Sequence, residues 1–408
     1  MMKLFVLLIV TASSLSLFAE RWPPSKVEVK RRTTEVFRHG SKDEWGYSRP
    51  QDDTFFVVHP RGAKTNAPLY VVLHSAGHDV WSAVQCTAQA GNHDIYHSPD
   101  NFYALYLDCR ANPGDWWWGG TNPRDSGDKK KNSGDELQPV ENRVVGTVKW
   151  VMETYDIDPN RVYLCGNSMG GSGALGIGLR HGDLFAAVKA NVPAGIEHVS
   201  NRLYFPPASV PAGLKLPDPP VVVDYSAQND QWSIGHGRFV KAMNDRKYPL
   251  FFYWGPFGHA NNHARILGVN DLINSFDWLN VKKNEAYAVF SNASCNDPLP
   301  WPDNLSSTAA GQVNAFFRWK TMADTESRFE MQLYLVSEKD LTTTFTIPKA
   351  ATADVSLRRL QRLEIEPGQM VQWQYGKTGG EISADADGLI TIPDLTITES
   401  PSLLMISM

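Results

Sequence analysis

The chain has 408 residues, of which 42% are hydrophobic and 20% charged, with a formal net charge of -5. That is the composition of a globular protein too long for one small core, and a mildly acidic chain lacks the basic excess of a nucleic-acid binder. Four cysteines make no disulfide framework.

The N-terminus reads as an export signal spanning residues 1–19. Lys3 supplies a basic start, "LFVLLIV" an apolar stretch and Ala19 a small residue for cleavage. The apolar stretch is short for a membrane span, and no later run reaches the roughly 18 residues that one requires. The expectation is a secreted or periplasmic protein with no membrane span once the signal is removed. Cys165 lies in an apolar strand and reads as a buried thiol. Cys86 and Cys109 are candidates for pairing in an oxidising compartment.

Beyond the signal, "KVEVKRRTTEVFR" and "TFFVVHP" read as strands. "APLYVVLHSAGHD" and "FYALYLDCR" are continuous apolar runs of the kind buried on both faces of a sheet. "QPVENRVVGTVKWVMETY" places Val144, Val145, Val148, Val151 and Met152 on a helical face. "DIDPNRVYLCG" is a loop and a buried strand, followed by a small-residue helix from about Met169 to His181. "FAAVKANVPAG" and "PPVVVDYSAQND" are further strand–loop units. "GHGRFVKAMNDR" reads as a helix, "PLFFYWGPFGH" as a strand and loop, and "DLINSFDWL" as a helix. Strands alternating with helices predict an α/β fold with a mostly parallel sheet.

Near residue 285 the pattern changes to short alternating runs: "NAFFRWKTM", "RFEMQLYLV", "TTTFTIP", "DVSLRR", "QMVQWQYG", "LITIPDL" and "SLLMIS". Turn signals such as "EPGQ", "KTGG" and "DADG" separate them. This predicts an α/β domain over residues 20–285 and an all-β, sandwich-like accessory domain over 286–408. "NDPLPWPDN" falls in a linker or first loop, and "GDKKKNSGDE" reads as a solvated charged loop.

The residues Gly166-Asn167-Ser168-Met169-Gly170 match G-x-S-x-G between a predicted strand and a predicted helix, the context in which that pattern carries chemistry. So tight a turn needs glycine on both sides and lifts the serine hydroxyl above the sheet, at a helix N-terminus that favours negative charge. A serine hydroxyl needs a base to take its proton, and the base needs a third group to hold it. In this fold the order is serine, acid, histidine. Asp230 follows the strand in "VVVDYSAQND", and His259 follows the next strand in "LFFYWGPFGH". Asp224, inside the strand run, is a rival acid. His236 and His263 are rival bases, and His181 reads as a helix-end residue.

An oxyanion requires backbone donors. The N–H of Met169 is one candidate, and Ala76 or Gly77 in "LHSAGHD" is the other. Trp116, Trp117 and Trp118 follow the strand ending at Cys109, and three consecutive tryptophans cannot all face a core, so this run is a candidate substrate platform. Trp232, two residues after Asp230, is a further candidate. No cluster with metal-ligand spacing is evident, "DADG" at 385–388 lacks the other ligands of a calcium loop, and neither metal nor cofactor is expected.

With these residues in view, the chain resembles the secreted α/β-hydrolases grouped with polyhydroxybutyrate depolymerases, feruloyl esterases and acetyl xylan esterases. "YDIDPNRVYLCGNSMGG" is similar to their helix–loop–strand–elbow passage, and "SAQNDQW" and "PFGH" to their acid and histidine loops. The resemblance covers roughly residues 50–285. It implies a Ser168–Asp230–His259 triad, ester hydrolysis through an acyl-enzyme, and action on esters borne by plant or algal polysaccharide. Where many relatives carry His-Gly-Gly-Gly, this chain has His74-Ser75-Ala76-Gly77, which leaves the second oxyanion donor open. Two other readings are a prolyl-oligopeptidase-like serine peptidase, which would usually carry a propeller for which this chain has no room, and a noncatalytic carbohydrate-binding protein on a hydrolase scaffold.

Overall fold

A computed structural model describes residues 19–21, 29–40, 42–47, 53–89, 93–109, 117, 137–260, 266, 269–301 and 308–408. Residues 1–18 of the expected export signal, Trp116, Trp118, the charged run 127–136 and His263 lie outside the described residues.

The main sheet is built from β1 (Ala19–Arg21), β2 (Thr34–His39), β3 (Thr54–Val58), β4 (Ala67–Leu73), β5 (Tyr103–Leu107), β6 (Ile157–Asn167), β7 (Ala187–Asn191), β8 (Val221–Ala227) and β9 (Leu250–Gly255). Strand β10 (Tyr287–Ser291) belongs elsewhere, but β11 (Gly311–Val313) returns, giving a ten-stranded sheet in the order β1-β2-β3-β5-β4-β6-β7-β8-β9-β11. Strands β5, β4, β6, β7, β8 and β9 run parallel, with antiparallel strands at both ends. This is an α/β-hydrolase fold.

Strands such as β4 and β8 are buried at every position, because both faces of the sheet are covered. Alternate side chains divide between two cores. Leu69, Val71 and Leu73 face α2 (Pro139–Thr154), α3 (Met169–Gly178), α4 (Ile196–Arg202) and α5 (His236–Asp245). Tyr70 and Val72 join the core of α1 (Val80–Cys86), α6 (Asn270–Ile273) and the C-terminal strands. Helix α2 opens with proline in its first turn and buries Val140, Val144, Val148 and Val151, the stripe at spacings of four and three that holds it to the sheet.

The remaining strands, β12 (Phe317–Asp324), β13 (Arg328–Leu335), β14 (Ala350–Arg358), β15 (Met370–Tyr375), β16 (Thr378–Ser383), β17 (Thr391–Thr398) and β18 (Ser402–Ser407), form two antiparallel sheets. Their orders are β10-β14-β17 and β12-β13-β18-β15-β16. Strand β13 alternates buried and solvent-facing positions along its length, the signature of a half-covered sheet.

Two expectations need correction, and the open question of the Cys86–Cys109 pairing is answered. "TTTFTIP" forms no strand: the Thr343 hydroxyl accepts the Phe345 N–H at 3.3 Å, a local turn that competes with a ladder. The predicted helix over "DLINSFDWL" is only the short α6 and a separate 3-10 turn at Trp278–Asn280. Cys86 and Cys109 do not pair, and neither Cys165 nor Cys295 is in a disulfide. Cys86 packs into the core on one face of the sheet and Cys109 into the core on the other, so the sheet itself separates them.

Candidate active site

The functional candidates converge at the carboxyl edge of the parallel strands, where open α/β sheets place their sites. Ser168 follows β6 directly and serves as the N-terminal flank of α3, with φ 54° and ψ -115°. Both flanking glycines are required by contact. A Cβ on Gly166 would lie 2.1 Å from the Gly170 carbonyl oxygen, and one on Gly170 would lie 2.0 Å from the Leu73 carbonyl oxygen. The Ser168 N–H donates to the Asn191 carbonyl at 2.9 Å, and the Ser168 carbonyl accepts from the Ala194 N–H at 3.2 Å. The Ser172 hydroxyl donates to the Ala194 carbonyl. The strained serine is thus over-determined by its surroundings.

Ser168 Oγ lies 2.8 Å from His259 Nε2, and His259 Nδ1 lies 2.5 Å from Asp230 Oδ2. The carboxylate can only accept, so Nδ1 carries the proton and Nε2 is left to receive one from the serine hydroxyl. Asp230 is almost wholly buried, whereas the His259 side chain is 32% exposed. The other carboxylate oxygen accepts the Trp232 N–H at 3.0 Å. The Asp230 carbonyl accepts from the Ser233 hydroxyl, which in turn accepts from the Trp301 indole N–H at 3.0 Å. Trp301, from the Pro-rich connection, therefore supports the acid loop from beneath.

The rivals lie elsewhere. Asp224 and His236 are both fully buried and face one another at 3.5 Å, and the His236 ring hydrogen-bonds the Ser233 carbonyl through Nδ1. Burial pushes the Asp224 carboxyl above its ordinary range. His181 pairs with the buried Glu141, which also holds Arg202.

On the oxyanion side, the Ser75 N–H is taken by the Tyr96 hydroxyl at 2.9 Å, while Ala76 and Gly77 stand exposed, Gly77 with φ 78°. The Gly170 contact with Leu73 brings the end of β4, and hence this loop, against the elbow. Met169 is the first residue of α3 and is partly buried.

The tryptophan platform is corrected at one position. Trp117 is fully buried, its indole N–H donates to the His74 carbonyl at 2.9 Å, and its ring packs against His74 and Gly173. It is a wedge between the loop after β4 and α3, not a surface. Trp232 is half-buried in the 3-10 turn Gln231–Ser233, beside the acid.

Two features escaped sequence reasoning. Behind the oxyanion loop, buried His74 meets Asp108 at 3.1 Å, and fully buried Arg143 donates to the Asp108 carbonyl and pairs with Asp53 at 3.2 Å. These residues are far apart in the chain and no motif joins them. Asn229 bridges the acid and histidine loops: its side chain donates to the Pro256 carbonyl at 3.2 Å and accepts the Gly258 N–H at 2.8 Å. Its place beside Asp230 was the one available clue.

Residues 145–239 match the family model Esterase, a segment that contains Ser168 and Asp230 and ends before His259. No curated protein sequence matches the chain. Among solved structures, the chain is similar to the fluorophosphonate-binding serine hydrolase F of Staphylococcus aureus, with 11% identity, a TM-score of 0.41, and 61% of this chain and 99% of that one covered. A ferulic acid esterase of Anaeromyces mucronatus shares 17% identity with a TM-score of 0.41, over 64% of this chain and 96% of that one. An S-formylglutathione hydrolase of Agrobacterium tumefaciens shares 16% identity with a TM-score of 0.39, over 56% and 88%. The α/β-hydrolase fold, the serine elbow and the esterase match define a serine carboxylic ester hydrolase.

Proposed function

We propose that the protein is an exported serine carboxylesterase that removes acetyl or feruloyl-type acyl groups from plant or algal polysaccharide. The observation that carries the reading is the hydrogen-bonded relay from Ser168 through His259 to Asp230. Ser168 Oγ attacks the ester carbonyl as His259 Nε2 takes its proton. Asp230, held in a desolvated pocket, orients the ring and stabilises the imidazolium. The N–H of Met169 and that of Ala76 or Gly77 receive the developing oxyanion. His259 then protonates the leaving sugar oxygen. In the second half-reaction, it activates water to release the acyl group and regenerate Ser168. Trp232 is the substrate contact carried forward, as its ring borders the acid loop and is partly exposed.

An export signal over 1–19, a catalytic part over 20–285 and an accessory β part over 286–408 belong to the same reading. Strand β11 is the exception, since it pairs with β9 in the hydrolase sheet. The experiment is release of p-nitrophenol from its acetate and from a feruloyl ester, by the wild type and Ser168→Ala side by side. Serine-dependent hydrolysis is expected, and the ratio of the two rates assigns the acyl class. Equal inertness of both proteins would discard the esterase reading in favour of peptide hydrolysis or glycan binding.

A further inference from the structure

A histidine in the oxyanion loop, a helix-end cysteine and a histidine from the next turn meet outside the catalytic centre, although nothing in their sequence spacing advertises it. His78 closes the loop that carries Ala76 and Gly77. Cys86 is the last residue of α1, and His93 flanks the 3-10 turn Asp94–Tyr96. One donor atom from each lies within 4.8 Å of the other two. Cys86 Sγ is 3.7 Å from His93 Nδ1. Tetrahedral zinc, with bonds of about 2.0–2.1 Å to nitrogen and about 2.3 Å to sulfur, sets its ligand atoms about 3.3–3.9 Å apart. The spacing of these side chains is that of a nearly assembled ligand set.

A second observation points the same way. His78 Nδ1 is buried and has no hydrogen-bond partner among the described residues, an uncommon condition for a buried nitrogen. The rings are also held in place: His93 stacks on Tyr96 with centroids 4.9 Å apart and planes at 7°, and its centroid lies 4.6 Å from that of His78.

We propose that His78, Cys86 and His93 bind one divalent cation of borderline softness, Zn2+ above all, leaving a coordination position for water. Two imidazoles and a thiolate select against Ca2+ and Mg2+, which take oxygen ligands. Binding proceeds by exchange: the S–H bond of Cys86 breaks, an S–metal bond forms, and the proton leaves to solvent with no change in oxidation state. The ion would staple the loop after β4 to α1 and to the turn whose Tyr96 hydroxyl already holds the Ser75 N–H.

The test uses Co2+ as a coloured probe on the full chain after treatment with a chelator, without substrate, so its outcome is independent of the esterase reading. The expected result is one Co2+ per chain with thiolate-to-cobalt charge-transfer absorption, displaced by Zn2+. Cys86→Ser, a near-isosteric change, loses that absorption. His78→Ala and His93→Ala weaken Zn2+ by more than the ~10–100-fold typical of losing an outer-sphere partner. On the unmutated chain, bound Zn2+ protects Cys86 from alkylation, a readout that needs no variant to fold. Absence of the absorption with no protection of Cys86, or Zn2+ affinity unchanged in folded Cys86→Ser, overturns the proposal.

Discussion

Gly170 and Leu73 touch backbone to backbone. A methyl group on Gly170 would come within 2.0 Å of the Leu73 carbonyl oxygen, at the end of the strand that leads into the oxyanion loop. The first turn of α3 is thus seated on β4, and the proposed nucleophile and oxyanion donors share one rigid contact. Gly170→Ala has no flexible side chain to push aside, because the obstructing atom belongs to the backbone. The expected destabilisation is at the upper end of the ~1–3 kcal/mol usual for overpacking, or beyond it. Urea unfolding checks this, and wild-type stability in the variant would show that the seat is looser than the structure has it.

Ser168 holds φ 54° and ψ -115°, a conformation unfavourable for any residue with a Cβ. Ser168→Ala should therefore abolish turnover while leaving stability near wild type, since alanine inherits the same strain. Ser168→Gly should be equally inactive yet more stable than Ser168→Ala, by about 1 kcal/mol, the lower part of the range for such backbone strain. Thermal melts of the two variants decide it. Equal melting temperatures would mean that the elbow stores no strain.

In the relay, Asp230 fixes which nitrogen of His259 carries the proton. Asp230→Asn keeps the shape but presents an amide, and kcat should fall by about 10⁴ as the wrong tautomer is favoured. Asn229 acts one step further out, through the Pro256–Gly258 backbone. Asn229→Ala should lower kcat about tenfold with KM little changed, the pattern of a positioning residue whose loss costs transition-state alignment. A rise in KM alone would make it a substrate contact instead.

The relay was legible in the sequence because each member sits just after an apolar strand, so chain order alone carries it to one sheet edge. Trp117 was not legible. Neighbouring tryptophans must point in different directions, but sequence does not say which one turns inward, and the space against Gly173 that admits this indole exists only once α3 has docked. Strand β11 was missed because three residues carry no periodicity, and its return to β9 makes the boundary at 285 less clean than composition suggests. The cluster at His78, Cys86 and His93 stayed hidden for a related reason. Its spacing fits no familiar metal motif, and His93 enters with φ 46°, a turn that no local pattern announces.

The tryptophans give a contrast that kinetics and stability can separate. Trp117→Ala removes a fully buried indole and its hydrogen bond to His74, and should cost about 3–5 kcal/mol of stability. Trp232→Ala removes a half-exposed ring and should leave most of the stability while raising KM for the bulkier ester more than for the acetate. If Trp232→Ala alters neither KM, the ring belongs to the scaffold.

Glu141 makes the stability of this fold sensitive to acid. Its carboxylate is fully buried between Arg202 and His181. Burial pushes its pKa up, but the Arg202 guanidinium and the His181 imidazole pull it down further, and it ends below the ordinary range. The unfolded chain, with a glutamate pKa of about 4.3, therefore takes up a proton before the folded one does. Between those two values the unfolded state binds more protons, so stability rises with pH there. The contribution of Glu141 is fully present above pH ~4.3 and fades as the pH falls through the lower, folded value. Glu141→Gln leaves Arg202 buried without its counter-charge and should cost about 3–5 kcal/mol at pH 7. Urea unfolding of wild type and variant from pH 7 down to the acid limit of folding tests both statements. The gap between the two proteins should hold steady through neutral pH and narrow only in the acid range. A gap that persists unchanged into strong acid would mean that hydrogen bonding and shape, rather than charge, hold Glu141 in place.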